Sequence, residues 1–299
     1  MLDLTVVILT YNEERHIQRC LENVLLLTNK IYVVDCFSTD KTQEIAESLG
    51  AHVVCHGWPG NQADQFNWAL DNLSIDTTWV LRLDADEYCS NALINEIKLK
   101  LPTLQGNCDA VILPRGREFM GKRLRYGISS QVKIIRLFRY GKARYEKRVM
   151  DEHLVLTNNG EIISFENPFY DASLLPMSEF VEKHNGYAVR EAAILLEAQY
   201  GDDTNHGNEI YGNAVAQKRR QKNLYARMPL FLRAIMYFTY RYFIRLGFLD
   251  GKEGFIWDFM QGLWYRMLVD VHIYEISHKC HYDYMEMKSY MLSHYKIKL

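Results

Sequence analysis

Val80-Leu81-Arg82-Leu83-Asp84-Ala85-Asp86-Glu87 is the stretch on which the reading of this chain turns. A hydrophobic strand, Trp79 to Leu83, runs directly into an acidic cluster with two carboxylates one residue apart. In open α/β sheets, ligands bind beyond the carboxyl ends of the strands. Two hard oxygen donors at such an end suit Mg²⁺ or Mn²⁺, and a cation there can bridge to a diphosphate. The competing reading is that acids simply end a strand at the surface. Asp-x-Asp alone does not separate the two.

The surrounding sequence supplies the context. Leu4 to Leu9 is a short β-rich run, and Glu14 to Leu27 has helical spacing with Asn12 placed as its N-cap. Ile31 to Val34 is a second strand. Ser38 or Thr39 can cap a helix that ends before Gly50, a favourable C′ residue. His52 to Cys55 is a third strand and Asn61 to Asn72 a helix, after which comes the strand Trp79 to Leu83. This alternation predicts an α/β fold built on a parallel, doubly wound sheet. Beyond Asp109 the pattern changes to strands at Asp109 to Leu113, Val132 to Phe138 and Leu154 to Leu156. From Ser178 the periodicity is helical, interrupted by a polar loop at Gly201 to Asn208. The expected division is an α/β catalytic domain over residues 1–176 and a mainly helical region over 177–299.

Composition bounds the function. The 299 residues are 48% hydrophobic and 24% charged, ordinary for a globular chain, and the net charge of -2 gives no global field for a polyanion, so no nucleic-acid partner is expected. Six cysteines without a C-x-x-C pair read as reduced thiols in a cytoplasmic chain. Met1 to Thr10 reads as a first strand rather than a signal peptide, and no uncharged apolar run of about 18 residues predicts a transmembrane helix.

Two further turns sit where a doubly wound sheet places ligand contacts. Thr10-Tyr11-Asn12-Glu13 follows the first strand and Asp35-Cys36-Phe37-Ser38-Thr39-Asp40 the second. Tyr11 could stack on a base and Asp35 could accept from a base N–H. Packing by Tyr11 and helix capping by Asn12, Ser38 and Asp40 are the structural alternatives, and capping and ligand contact can hold together.

Taken together, Thr10-Tyr11-Asn12-Glu13-Glu14, Asp35-x-x-Ser38-Thr39-Asp40 and Leu83-Asp84-Ala85-Asp86-Glu87 resemble the signature of glycosyltransferase family 2. Gln65-x-Asn67-x-Ala69-Leu70 is similar to that family's Q-K-N-x-A-L helix, with Phe66 where Lys is common. The resemblance implies the GT-A fold, a Rossmann-like nucleotide-sugar-binding domain, and a UDP-sugar donor. It implies contacts to that donor from Thr10, Tyr11, Glu13, Asp35, Gln65, Asn67 and Asp84. It also implies a divalent metal, Mn²⁺ or Mg²⁺, held by Asp86 with Asp84. The implied reaction is an inverting displacement onto a saccharide or lipid-linked saccharide acceptor, which needs a general base. Val149-Met150-Asp151-Glu152-His153 resembles the family's acidic motif by position, with Glu152 favoured as base, Asp151 the alternative, and a solvent-facing charged turn the rival reading. Arg245-Leu246-Gly247-Phe248-Leu249-Asp250-Gly251-Lys252-Glu253-Gly254-Phe255, with Gln261-Gly262 and Trp264-Tyr265-Arg266, is similar to a subgroup that includes lipopolysaccharide core glucosyltransferases. Processive relatives carry Q-x-x-R-W; Gln217-Lys218-Arg219-Arg220-Gln221 lacks its Trp, which favours addition of a single sugar.

Leu230 to Gly247 is basic and aromatic. On a helical wheel Phe231, Ile235, Phe238, Tyr242 and Leu246 share one face, and Arg233, Tyr237, Arg241 and Arg245 follow at i+4 spacing on another. One reading is a helix packed on the catalytic domain with its arginines in solvent. The other is peripheral attachment to an anionic membrane surface on the cytoplasmic side. Other classes fit less well. A Rossmann dehydrogenase would need G-x-G-x-x-G after the first strand. An Asp84-nucleophile phosphotransferase would want Thr or Val at Tyr88 and has no use for the Thr-Tyr-Asn-Glu turn. A nucleotide-sugar-binding assembly protein without catalysis would keep the Asp pair. His272, His278, Cys280 and His281 lack paired zinc-ligand spacing and read as a polar tail.

Overall fold

In a computed structural model, residues 1–104, 106–128, 132–146, 153–201, 225 and 228–297 are described. The chain divides into two compact units, Met1–Leu174 and Leu175–Leu299.

The first unit begins as the alternation predicts: β1 (Leu4–Thr10), α1 (Ile17–Val24), β2 (Ile31–Asp35), α2 (Thr42–Ser48), β3 (His52–Cys55), α3 (Gln62–Asn72) and β4 (Trp79–Asp84). After β4 come β5 (Glu87–Cys89), α4 (Asn91–Lys100), β6 (Cys108–Phe119), β7 (Lys122–Leu124), β8 (Val132–Arg139), β9 (Ala143–Tyr145), β10 (Leu154–Leu156), β11 (Glu161–Ser164) and β12 (Phe169–Asp171). The main sheet has the order β3-β2-β1-β4-β8-β6-β12-β5, with β11 and β7 also on β6. The first four strands are parallel, while β8 runs antiparallel to both β4 and β6, so the sheet is mixed rather than wholly parallel.

Side-chain alternation divides this sheet between two cores. Leu4, Val6 and Ile8 of β1 and Trp79, Leu81 and Leu83 of β4 join a cluster with Ile17, Cys20, Leu21 and Val24 of α1. Those α1 residues recur at the i, i+3, i+4, i+7 spacing of an amphipathic helix. Val7 and Val80 turn the other way, onto Phe66, Ala69 and Leu70 of α3. The short strands β5, β7, β9, β11 and β12 carry too few residues to show a period and were not predicted. Strand β6 runs further than Asp109 to Leu113 because its second half pairs with β12, and Gly116 there admits the Tyr170 ring, which a Cβ would meet at 2.6 Å.

Capping departs from expectation. Asn61 and Ser90 do cap α3 and α4, accepting from the Asp64 and Leu93 amides at 2.7 and 3.1 Å. The residues before α1 and α2, His16 and Lys41, make no side-chain cap. Asn12, Ser38 and Thr39 instead bond across from one loop to the other, as described below.

The second unit is helical: α5 (Met177–Tyr200), α6 (Leu232–Thr239), α7 (Gly251–Asp258), α8 (Tyr265–Lys279) and α9 (Tyr284–Tyr295). A π-helical turn, Tyr240–Ile244, follows α6, and another, Phe259–Trp264, joins α7 to α8. Ala188, Ala192 and Leu196 of α5 pack against Val269, Ile273 and Ile276 of α8, with Met287 and Met291 of α9 completing the core. The expected polar tail is therefore overturned: Cys280 is buried and the segment after it is a packed helix. Gln217 to Gln221 and the loop 202–208 lie outside the described residues. All six cysteines are free. Among the described residues no helix is long and apolar enough to cross a membrane.

Glu96 of α4 ties down the chain before β12. It accepts from the Asn167 amide at 3.0 Å, the Asn167 side chain at 2.8 Å, the Glu166 amide at 3.1 Å and Lys100 Nζ at 2.7 Å. Burial alone would raise its pKa, but the bonds from Lys100 and from the Asn167 and Glu166 amides prevail and hold the carboxyl below its usual value. A depressed carboxylate stabilises the fold fully above the free-glutamate pKa of about 4.3 and ceases to do so as pH falls through the lower folded value. Glu96→Gln is expected to cost about 1–3 kcal/mol at neutral pH. In urea unfolding, the difference between wild type and variant should shrink as pH falls below about 4.

Candidate active site at the carboxyl ends of the strands

Register brings the predicted residues together. Thr10 of β1 lies beside Asp35 of β2, and Leu9 lies beside Asp84 of β4, so the first two turns and the acidic cluster emerge at one end of the sheet.

Asp35 is fully buried and accepts four hydrogen bonds: from Thr10 Oγ1 (2.8 Å), the Ser38 amide (2.7 Å), Ser38 Oγ (2.5 Å) and Gln43 Nε2 (2.7 Å). Its acceptor capacity is filled, and a ligand N–H reaching it would displace Ser38 or Gln43. The two loops are laced together around it. The Asn12 amide donates to Ser38 Oγ, the Thr39 amide to Asn12 Oδ1, the Glu13 amide to Thr42 Oγ1 and the Glu14 amide to Asp40 Oδ2, at 2.8 to 3.1 Å. Asn12 and Phe37 take positive φ values of 54° and 60°, which turn the loops sharply enough to face one another. Glu13 bonds His16 Nδ1 at 2.6 Å, while His16 Nε2 accepts from the Leu174 amide at 2.8 Å. That acceptor role puts the imidazole proton on Nδ1, donating to Glu13.

Tyr11, in the turn after β1, and Phe37, in the turn after β2, are each 58% exposed. Trp58, after β3, is also exposed. Phe37 and Trp58 were missed by the motif reading; an aromatic in the loop two or three residues past a strand end was the available signal.

The acidic cluster is built with arginines. Arg82 donates to Asp84 Oδ1 at 2.8 Å; Arg136 of β8 donates to Asp84 Oδ2 at 3.1 Å and to Glu87 Oε1 at 2.6 Å. The Asp84 amide donates to Glu87 Oε2 at 2.9 Å. Burial pushes the Glu87 carboxyl well up, aided by Asp84, Asp171 and Asp86 nearby, against the pull of Arg82. Arg19 of α1 holds the Asp86 carbonyl at 3.1 Å, which the Ala172 amide also bonds at 3.0 Å. Asp86 and Asp84 keep partial exposure.

Gln65 and Asn67 sit beneath rather than among these groups. Gln65 is fully buried, bonding His56 Nδ1 at 2.7 Å and its carbonyl at 3.3 Å. Asn67 exchanges two 3.0 Å hydrogen bonds with the Tyr145 backbone, docking β9 onto α3. Phe66, the departure from Lys, is fully buried and meets the Tyr145 ring edge-on at 5.5 Å, and the Arg82 guanidinium is 5.7 Å from the Phe66 ring and 5.1 Å from that of Tyr145. Asp151 and Glu152 lie outside the described residues. The connection carrying them leaves from β9 and returns at His153, whose amide and carbonyl both bond Glu146.

Among the described residues no group of three or more His, Cys, Asp or Glu side chains is placed to hold a metal. Asp84 and Asp86 are the carboxylates that could help hold a cation completing its shell with phosphate oxygens and water, and both oxygens of Asp84 accept from arginines in this structure.

The chain belongs to glycosyl transferase family 2, whose model matches residues 5–158. It is a glycosyltransferase with the GT-A α/β fold and a helical C-terminal region. It is 26% identical over 264 residues to an uncharacterized glycosyltransferase of Rickettsia typhi, spanning 86% of this chain and 82% of that one. A Rickettsia prowazekii glycosyltransferase is 38% identical over 98 residues, 33% of this chain and 32% of that one. Among solved structures, Staphylococcus aureus TarS 1–349 aligns over 93% of this chain and 91% of its own, at TM-score 0.42 and 13% identity. Glucosyl-3-phosphoglycerate synthase of Mycobacterium tuberculosis, in complex with Mn²⁺, UDP and glucosyl-3-phosphoglycerate, aligns over 38% and 44%, at TM-score 0.32 and 21% identity.

Removing Arg136 leaves Glu87 buried beside other carboxylates. Arg136→Met is expected to lose about 3–5 kcal/mol of stability in denaturant titrations, and Arg136→Met/Glu87→Met to recover much of that loss.

Proposed function

We propose that the chain transfers a hexose from a UDP-sugar, with inversion, to a saccharide or lipid-linked saccharide acceptor in the synthesis of bacterial envelope polysaccharide or lipopolysaccharide. The observation that carries this reading is the convergence of the Thr10–Asp35 turn and the Asp84–Asp86 pair at one sheet end, with Tyr11 and Phe37 exposed beside it. The likeness of residues 245–266 to the lipopolysaccharide core subgroup supports the choice of pathway. Residues 1–176 would carry the chemistry, and the helical region 177–299 would serve the acceptor side on the cytoplasmic face of the membrane.

Tyr11 stacks on the uracil. Thr10, Glu13 and Gln65 hold the turns that receive it, Asn67 fixes β9 against α3, and Asp35 orders the second turn and recognises a base N–H by exchanging a donor. Asp86, with Asp84, would hold Mn²⁺ or Mg²⁺, which would neutralise charge on the departing diphosphate. Arg82 and Arg136 fix Asp84 in place by bonding one oxygen each. The acceptor hydroxyl oxygen bonds to the anomeric carbon as that carbon's bond to the diphosphate oxygen breaks. The bonding pair leaves with UDP, and the hydroxyl proton passes to the carboxylate of Glu152 or Asp151.

Calorimetry with a panel of nucleotides tests the donor site. Metal-dependent binding of UDP, weakened at least about 100-fold in Asp86→Ala, is expected. Failure of the folded protein to bind any nucleoside diphosphate would sink the reading. Of Glu152→Gln and Asp151→Asn, the one that removes the base should lower kcat by about 10²- to 10⁴-fold while UDP binding stays as in wild type.

A further inference from the structure

The wheel of residues 230–247 places arginines on one face and large apolar side chains on another, and either could have faced the protein. The structure turns Arg233 and Arg241 in. Arg233 is 2% exposed and its Nε donates to Asp270 Oδ1 of α8 at 2.7 Å; Asp270 Oδ2 also accepts from the Phe231 amide at 2.7 Å. Arg241 is 6% exposed and donates to Asp258 of α7 at 2.9 Å, crossing Gly262, where a Cβ would stand 3.2 Å from its Cδ. Solvent-exposed arginines, the simpler expectation, are thus overturned at both positions.

What faces outward is the apolar side. Twelve large apolar side chains between Phe231 and Phe259 are exposed by more than a third, among them Ile235, Met236, Phe243 (56%) and Ile244 (67%). The rings in the later part of this stretch are contiguous. The Tyr242 ring lies 5.1 Å from Phe243, 6.1 Å from Phe248 and 5.6 Å from Phe255, and Phe255 continues to Phe259 at 6.1 Å. Contiguous exposed apolar surface of this kind marks a partner or a membrane.

The corner is built to hold that surface out. Leu246 takes a φ of +59°, a conformation costly for a branched apolar residue, yet remains 43% exposed. Gly247 and Gly254 let the backbone press onto Asp258 and Asp250, where a Cβ on either would collide. Glycine at these positions in the Arg245–Phe255 motif therefore seats the aspartates underneath and leaves Phe248 and Leu249 on the outside.

Charge selects the occupant. Residues 210–249 contain eight Lys or Arg and no Asp or Glu. Two of those cations are the buried, paired Arg233 and Arg241. The others, Lys218, Arg219, Arg220, Lys222 and Arg227, which precede residues 231–259 in sequence, and Arg245 among them, give this stretch of sequence a strongly positive charge. Lys252 is exposed at its rim. An aromatic-aliphatic surface joined to a cationic segment matches an anionic lipid interface, where rings enter the headgroup–acyl boundary and cations meet lipid phosphates.

We propose that the surface formed by residues 231–259 docks on an anionic lipid bilayer, inserting Phe243, Ile244, Phe248 and Leu249, with the buried Arg–Asp pairs holding it in shape. This rests on the lipid-linked acceptor reading only for its purpose, because lipid binding needs neither donor nor transfer. The test is flotation of the full chain with phosphatidylcholine vesicles, with and without phosphatidylglycerol, alongside its mass in solution by light scattering. The protein should float with the anionic vesicles and much less with neutral ones. Phe243→Ser/Ile244→Ser should reduce partitioning about ten-fold or more, with UDP binding and thermal unfolding as in wild type. Failure to float, equal flotation with neutral vesicles, or unchanged flotation of the variant would overturn the proposal. So would a concentration-dependent dimer that the variant abolishes, which would make the surface a contact between copies. Transferase activity on soluble acceptors without flotation would refute the docking surface and leave the transferase reading standing.

Discussion

The constraint on which the first unit depends is the cost of gathering carboxylates at the end of a buried sheet. Asp84, Glu87 and Asp171 lie within one neighbourhood, Glu87 almost wholly out of water. An isolated carboxylate there would shed its charge or unfold its surroundings. Arg136 answers this from β8 by bonding Asp84 and Glu87 at once, and Arg82 answers it from β4 itself. The antiparallel insertion of β8 beside β4 is thus more than a topological detail. It delivers a guanidinium that a purely parallel continuation with another strand would not have placed there.

The same solution recurs in the second unit for a different end. Arg233 and Arg241 are drawn inward by Asp270 and Asp258, and their neighbours are thereby turned outward. In the first unit, buried ion pairs fix a polar site. In the second they fix an apolar surface. Pairs of this sort contribute little net stability compared with apolar replacements, and their value lies in specifying one arrangement over another. A helix with two possible inward faces needs such a specification, because apolar burial alone would favour the opposite orientation.

Much of the site was legible because strand ends are legible. The apolar run from Trp79 to Leu83 stops at Asp84, and a parallel sheet obliges that stop to lie beside the ends of β1 and β2. Capping was less so. Asn12, Ser38 and Thr39 are residues that either cap helices or bridge loops, and sequence spacing does not distinguish a donor three residues ahead from one twenty-seven residues away. Gln65 and Asn67 show the same limit: an amide on a helix reads alike whether it meets a ligand or, as with Asn67, the backbone of a later strand. Short strands such as β5 and β12 owe their existence to pairing partners, not to any period of their own.

The sequence by itself determined the alternation of strands and helices, the acidic terminus of β4 and the change to helix near Ser178, because each is written in local periodicity and chain order. Only the tertiary structure decided which face of residues 231–246 is inside. The wheel gives two faces and no preference between them once aspartates distant in the chain are available to neutralise the arginines. That choice rests on Asp258 and Asp270, which lie 17 and 37 residues away from their partners and enter no local pattern.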